Sequence, residues 1–424
     1  MKRRLAAAIL GTFASDDAAP HRDRLSAFRE ESWKTTHRWL DASGLALYFG
    51  ARIHALAIED AVPHSVRRRL HENCLENRSR MQDLIAEFIS LNDAFASHNL
   101  AYFNLKGFSL TPDYCPDAAL RFQIDLDFVI DAKDAVRGQR VLEDRGYRLT
   151  AAGEQHWEFK TCAAEMPSLR DLYRAKPQRS VEVRIMPFKN EAVNGRHLKT
   201  QTRSIGGYRF PALADPDQFL WQSAHLAKHL GGEWTRTSWL LELFRFIRTR
   251  YADDALWQKV RETAERDEEM RASVGLSVFL ASRVFGEFAP AALTAWSVDR
   301  LHASSLLWAE RYGHEILMAP FPGTKRYLLM PAEIAGANLK SNSSRRSRLL
   351  PFHAAPRIVF GESHETGAQR IRRLLAQWWY VLLRAKFHIG QGLWYLQEAP
   401  RWKRLLAQMR KRQSAIGQAE PLPQ

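Results

Sequence analysis

The sequence predicts an α+β fold in which a small mixed β-sheet, with helices of its own, is flanked by helical regions. Three observations carry that expectation. From Pro63 to Leu100 apolar residues (Leu70, Cys74, Met81, Leu84, Phe88, Leu91, Phe95) recur at helical spacing, with no internal Pro or Gly. At Ala101 the texture changes to short apolar runs bounded by Gly, Pro, Asp or charged loops. After Pro211 the 3.6-residue period returns.

Taken in order, Met1 to Arg4 followed by Leu5 to Ala14 imitates a short signal peptide. Asp16, Asp17 and the charged stretch from His21 continue without a clean processing site, so a first amphipathic helix is expected, opening an N-terminal helical region, 1–98. The Pro63–Leu100 pattern is one long helix or two consecutive ones. Strands are expected at Ala101 to Leu105, Ile124 to Ile130, His156 to Cys162 and Val181 to Met186. Asp131 can cap a helix running through Val136, Val141 and Leu142 until Gly146 stops it. Residues 99–212 thus read as strand, turn, strand, helix, strand, strand. Asp215 to Leu230, Ser238 to Arg250, Ala255 to Glu269, Val274 to Phe285 and Val298 to Leu317 predict a helical domain over 213–320. In the remaining region, 321–424, Ser341 to Arg348 reads as a solvated loop or linker, and Gln369 to Arg412 as helical before a frayed tail.

Composition bounds the function. With 424 residues, 46% of them apolar, and no simple repeat, the chain should form two or three packed units rather than a disordered polymer. Its 62 Lys and Arg against 47 Asp and Glu give a formal charge of +15, which favours nucleic acid, nucleotides or an anionic membrane surface. Cys74, Cys115 and Cys162 are too few and too scattered for a disulfide framework or a thiolate zinc site, and suit a reducing, cytoplasmic setting. The longest apolar candidate, Leu374 to Leu383, is about half of the ~18–20 residues a membrane span needs and contains Gln377.

The chemistry concentrates around Leu105-Lys106-Gly107-Phe108-Ser109 and Arg121-Phe122-Gln123-Ile124-Asp125-Leu126-Asp127. In a strand successive side chains alternate faces, so Asp125 and Asp127 project together while Ile124, Leu126 and Phe128 are expected in the core. Two carboxylates ~5 Å apart at an effective dielectric of ~20 repel by about 3 kcal/mol, a penalty that a divalent cation converts into attraction. Oxygen ligands on a rigid strand suit Mg²⁺, which takes remaining ligands from water and substrate phosphates. Gly107 can close a strand and let a phosphate approach the backbone, Lys106 adds a charge and Ser109 a hydroxyl. Glu182, within Val181-Glu182-Val183, either completes a three-carboxylate cluster for two-metal phosphoryl or nucleotidyl transfer or pairs with Arg184 on its own strand face.

These residues, together with Tyr114, Gly146-Tyr147, Asp215-Pro216-Asp217, His225, His229 and Trp239-Leu240-Leu241-Glu242, resemble the uncharacterised bacterial nucleotidyltransferase family of the polymerase-beta-like nucleotidyltransferase superfamily, over roughly residues 60 to 250. The resemblance implies a polymerase-beta-like core in which Asp125, Asp127 and Glu182 hold Mg²⁺, Gly107 and Ser109 contact the β- and γ-phosphates of an NTP, and Lys106 and Arg121 neutralise developing charge. It also implies transfer of a nucleoside monophosphate to an acceptor hydroxyl or phosphate, with pyrophosphate released. Two departures bear on activity: Phe108 stands where the family places a small residue, and Arg184 where it often has His. A catalytically decayed relative that binds RNA or a membrane surface, and a toxin-like transferase acting on tRNA, are the alternatives.

His225 and His229 lie four apart on an expected helix, yet no third ligand accompanies them, and helix packing is the expected role; Trp221, Trp234 and Trp239 are likewise read as core. Between Arg370 and Arg412, eleven Lys and Arg face one acid, Glu398, with Trp378, Trp379, Tyr380, Trp394, Tyr395 and Trp402 interleaved. Such a segment (370–412) can rest on an anionic membrane at the inner surface, track a nucleic acid, or pack its aromatics while its cations stay wet.

Overall fold

A seven-stranded mixed sheet in the order β3-β4-β5-β2-β1-β7-β6 lies at the heart of the protein. The structure is a computed structural model that describes residues 2–161, 172–173, 179–188, 198–335, 342–349 and 366–419. The described chain divides into two units, 1–225 with 236–299, and 226–235 with 300–424.

In the first unit five helices precede the sheet: α1 (Lys2–Gly11), α2 (Ala18–Ser26), α3 (Glu30–Ala42), α4 (Ala46–Ala55) and α5 (His64–Ser97). Leu5, Ile9 and Leu10 of α1 are buried, so this stretch is a packed helix. The Pro63–Leu100 pattern forms a single helix of 34 residues. The strands are β1 (Tyr102–Asn104), β2 (Asp125–Asp131), β3 (Arg148–Ala152), β4 (His156–Lys160), β5 (Ser180–Met186), β6 (Thr200–Ile205) and β7 (Tyr208–Leu213), with α6 (Ala135–Glu143) between β2 and β3. Asp131 caps a short 3-10 turn ahead of α6 by accepting from Lys133 N, and Gly146, at φ +82°, follows the helix where a side chain would be strained.

Alternation separates the two faces of the sheet. Leu126, Phe128 and Ile130 of β2, Val181 and Val183 of β5 and Phe210 of β7 pack beneath Met81, Leu84, Phe88, Leu91 and Phe95 of α5. Phe88 is the hub of this layer, with its ring centroid 4.9 Å from Phe108, 4.9 Å from Phe210 and 6.3 Å from Phe128. The other face carries a smaller cluster of Phe103, Leu105, Val129, Met186 and Leu213. Because β2 and β5 run parallel with Asp127 opposite Glu182, that second face also receives the acidic side chains.

Beyond the sheet come α7 (Asp215–Leu230), α8 (Thr237–Thr249), α9 (Asp254–Ala264), α10 (Glu268–Phe285) and α11 (Ala291–Ser297). Asp215 explains the start of α7: with Asp113 it forms an ion-pair network around Arg203 of β6 and Arg250 after α8, with Arg250 Nη2 2.9 Å from Asp215 Oδ2. The second unit contains α12 (Ala303–Trp308), α13 (His314–Leu317), α14 (Asn342–Leu349) and α15 (Gly367–Ala419). There the fully buried Lys325 donates to the Leu349 carbonyl at 2.7 Å, near Glu233 (3.7 Å); burial pulls its pKa down to about 8.

Several expectations are corrected. Ile124 precedes β2 and is 38% exposed, so it is not a core residue. The helix expected over Ala255 to Glu269 breaks after Ala264 and restarts at Glu268, because Asp267 accepts from Met270 N and begins a new helix. Val298 to Leu317 is α12, a π turn and α13 rather than one helix. Residues 342–349 are helical, not a loop: Arg345 donates to the carbonyls of Leu328 (2.6 Å) and Met330 (2.8 Å), a tertiary anchor that overrides the weak local preference. Cys162, at the end of one expected strand, lies outside the described residues, as does Ser341.

Phe88→Ala should cost about 3–5 kcal/mol in urea unfolding, since it empties the centre of the layer between α5 and the sheet. Leu75→Ala, on the same helix but 56% exposed, should stay within about 0.5 kcal/mol of the parent.

Candidate active site

The site grows from the β2–β5 ladder. Parallel pairing sets Asp127 beside Glu182 and Asp125 beside Ser180, and the two-residue period puts Asp125 on the same face as Asp127. One carboxylate oxygen from each of Asp125, Asp127 and Glu182 can lie within 4.8 Å of the other two. Arg184, two residues on, does not neutralise this group. Its guanidinium stands 5.0 Å over the ring of Trp221. Glu158 of β4 pairs in register with Glu182, adding a fourth carboxylate to that row of the sheet, and Lys160 holds it at 2.7 Å. Sequence reading missed Glu158, because its alignment with Glu182 depends on the register of two strands distant in sequence.

A strained turn leans on this face. Lys106 has φ +57° and ψ −152°, a conformation seldom adopted by a residue with a side chain, and Gly107 follows at φ +52°. A Cβ on Gly107 would stand 3.0 Å from Gln123 Nε2, so both backbone angle and space select glycine. The turn carries Lys106 Nζ to 3.0 Å from Asp127 Oδ1, in a pair that is 11% and 7% exposed. Phe108 enters the core against Phe88, which explains a large side chain at that place. Ser109 is fully buried: its hydroxyl donates to the Lys106 carbonyl at 2.6 Å and lies 3.3 Å from Gln218 Oε1. In this state it locks the turn instead of facing solvent.

Behind the strand runs a buried polar chain. Tyr48 of α4 and Arg121 Nε both donate to Glu242 Oε1 at 3.0 Å, Arg121 Nη1 donates to Gln123 Oε1 at 3.3 Å, and Gln123 Nε2 donates to the Asp125 carbonyl at 3.3 Å. Burial works against the Arg121 charge, but Glu242 beside it, with Tyr48 and Asp125, holds its pKa above the ordinary value. Arg236 stands 5.7 Å over Phe122, and burial followed by the nearby Arg121 depresses its pKa. Gln123, Glu242 and Arg236 are positioning groups to which sequence reading assigned no role, although Gln123 and Glu242 stand in the motifs it quoted. Glu242 had a signal, a carboxylate inside the apolar run Leu240-Leu241-Glu242-Leu243-Phe244. The structure thus brings Lys106, Asp125, Asp127 and Glu182 together, with Arg121 linked to them through Gln123. His225 packs its ring against Trp239 at 4.6 Å, a packing contact.

Asp127 is the electrostatic centre. Burial pushes its carboxyl up to about 7; Lys106 acts in the opposite direction, and Asp125 and Glu182 add to the rise. Three oxygen donors with a surplus of negative charge, and no sulfur or nitrogen ligand among them, fit a hard divalent cation such as Mg²⁺.

Residues 29–286 match the family described as uncharacterised nucleotidyltransferase. A crystal structure of an antigenic nucleotidyltransferase-like protein from Paracoccidioides brasiliensis is similar at 12% identity over 49% of this chain and 94% of that one, with a TM-score of 0.28. No curated protein matches.

A raised Asp127 pKa has a direct consequence for metal binding. As pH falls toward the raised pKa of this carboxyl, a proton competes with the metal for the same oxygens, and affinity should fall by up to about tenfold per pH unit. Calorimetric titration of Mn²⁺ between about pH 5.5 and 8.5 checks this. Affinity that does not change across that range would mean that no proton on Asp127 competes with the metal there.

Proposed function

The chain belongs to the family of uncharacterised nucleotidyltransferases, and from that membership we propose that it is a Mg²⁺-dependent enzyme. It moves a nucleoside monophosphate from an NTP to an acceptor hydroxyl or phosphate, with release of pyrophosphate. The observation that carries this reading is the convergence of Asp125, Asp127 and Glu182 beside the Lys106–Gly107 turn.

In this reading Asp125 and Asp127 would hold Mg²⁺, with Glu182 as the third ligand. The ion when bound would neutralise the triphosphate and polarise the α-phosphorus. Glu182 lies on the neighbouring strand and receives the proton of an acceptor hydroxyl, which makes that oxygen the better nucleophile. The P–O bond to the new acceptor forms as the bond to the β-phosphate oxygen breaks, and pyrophosphate carries away the electron pair. Lys106 supplies positive charge on the side where pyrophosphate charge develops, and the backbone at Lys106–Gly107 faces the phosphates, while the buried Ser109 hydroxyl holds that turn and takes no part in phosphate binding. Arg121 is held by Glu242 and contributes its charge from behind Asp125. A conservative change at Glu242 should therefore disturb activity through Arg121, without touching substrate.

Adding Mg²⁺ with the cognate NTP should raise the melting midpoint of the wild type, by the equivalent of about 2.7 kcal/mol at a hundredfold excess over Kd. Asp125→Asn and Asp127→Asn should abolish the rise, and transfer of label from an α-³²P NTP into total RNA or total protein should fall to background. A wild-type protein that ignores every nucleotide and transfers no label contradicts the proposal and favours a binding role without catalysis.

A further inference from the structure

Among the described residues fifteen large apolar side chains are exposed, and ten of them lie on α15 between Ile371 and Leu396. Their spacing is helical: Ile371, Leu375, Trp378, Leu382, Ile389 and Leu393 recur at steps of three, four or seven, so they share one face. The stripe extends over 26 residues, about 39 Å of helix at 1.5 Å per residue. Exposures on it run from 46% at Leu374 to 66% at Trp378. Isolated exposed leucines need no explanation, but a continuous stripe of this length does.

From Arg384 onward the opposite face of the same helix is engaged within the second unit. Arg384 donates to Glu233 at 2.9 Å, Gln391 Oε1 accepts from Lys325 N at 3.0 Å, and Glu398 accepts from Arg311 at 2.6 Å. Trp402 is buried there. The helix is therefore anchored by one side, with its apolar side facing outward. Continuing along the outward face past Leu396, the helical period brings Lys403, Arg404 and Lys411, all exposed. Glu398 is the sole acid from Gly367 to Ala419, and it is 7% exposed on the engaged face. The outward face thus offers hydrocarbon and positive charge, with no carboxylate.

We propose that this outward face of α15 docks on a bilayer surface containing anionic lipid, with the helix lying in the plane of the interface. A bilayer supplies both complements at once: acyl chains and glycerol backbones for the stripe, and anionic head groups for the cations. A polyanion such as RNA supplies only the second, and eight of the ten exposed side chains are aliphatic, with no base-stacking face. A second copy of the chain supplies only the first, since its identical face has no acid to pair with Lys403, Arg404 or Lys411. No helix among the described residues is long and apolar enough to cross a membrane, so the docking is lateral. This inference stands apart from the catalytic reading.

The test is flotation of the full chain with vesicles of phosphatidylcholine, alone or with about a third phosphatidylglycerol. Wild-type protein should float with the anionic vesicles and bind neutral ones at least about tenfold more weakly. Trp378→Gln with Leu382→Gln and Ile389→Gln changes only exposed side chains, so the melting midpoint should hold while vesicle binding falls at least about tenfold. Lys403→Gln with Arg404→Gln and Lys411→Gln should weaken binding to anionic vesicles by about tenfold, toward that of neutral ones, and leave binding to neutral ones unchanged. Equal partition into both vesicle types, or into neither, overturns the proposal. So does a wild-type dimer indifferent to vesicles that the apolar triple variant dissociates, which would assign the stripe to a second copy. Salt-sensitive binding to a single-stranded oligonucleotide that the apolar variant retains, without vesicle binding, would assign the face to nucleic acid.

Discussion

The parallel pairing of β2 with β5 is the constraint on which the rest depends. It joins segments more than fifty residues apart, and its register sets Asp127 level with Glu182. Alternation then does two jobs at once. Leu126, Phe128, Val181 and Val183 go to the α5 side, where Phe88 and Phe95 close the hydrocarbon layer, while the acidic side chains go to the other. A slip of one residue in this register would bury the carboxylates in hydrocarbon and expose the core. The hydrophobic layer therefore enforces the geometry of the acidic cluster without touching it.

Concentrating negative charge in this way needs support, and the surroundings supply it in two forms. On the open side Lys106 reaches Asp127 from a turn held at an unfavourable backbone angle, which the buried Ser109 hydroxyl keeps in place by donating to the Lys106 carbonyl. On the closed side the Tyr48–Glu242–Arg121–Gln123 chain ends on the backbone of Asp125. Glu242 neutralises Arg121 while Arg121 remains close enough to Asp125 to be felt by it. Lys106 and Asp127, and Arg121 and Glu242, are thus paired, as burial requires, while Asp125 and Glu182 carry the surplus negative charge.

Much of this was legible because it is local. Asp125-Leu126-Asp127 declares its two faces within three residues, and the α5 stripe announces itself over nine turns. What escaped was non-local or weakly apolar. The strands β3 and β6 sit at the two sheet edges, where one neighbour suffices, and their sequences, Arg-Leu-Thr-Ala-Ala and Thr-Gln-Thr-Arg-Ser-Ile, carry little hydrocarbon. The strand β7 contains Pro211, which reads as a boundary, yet its carbonyl accepts from Asn104 and the strand continues to Leu213. Helix α14, rich in Ser and Arg, looks like a linker until Arg345 finds the carbonyls of Leu328 and Met330. Around the acidic cluster, Asp125, Asp127, Glu182 and Lys106 could be named from pattern and resemblance. Glu158 and Gln123 could not, since only strand register and turn geometry bring them near. The basic aromatic tail was visible as composition alone; which side of it faces outward depends on its anchors, Glu233, Lys325 and Arg311.

The central claim is that three carboxylates, brought together by strand register, grip one divalent cation. Crystals soaked in Mn²⁺ and measured at its absorption edge test this without reliance on any substrate. The account predicts an anomalous peak between Asp125, Asp127 and Glu182, within about 2.0–2.3 Å of an oxygen from each. A peak elsewhere, or none at saturating Mn²⁺ with Lys106 still bonded to Asp127, would contradict it.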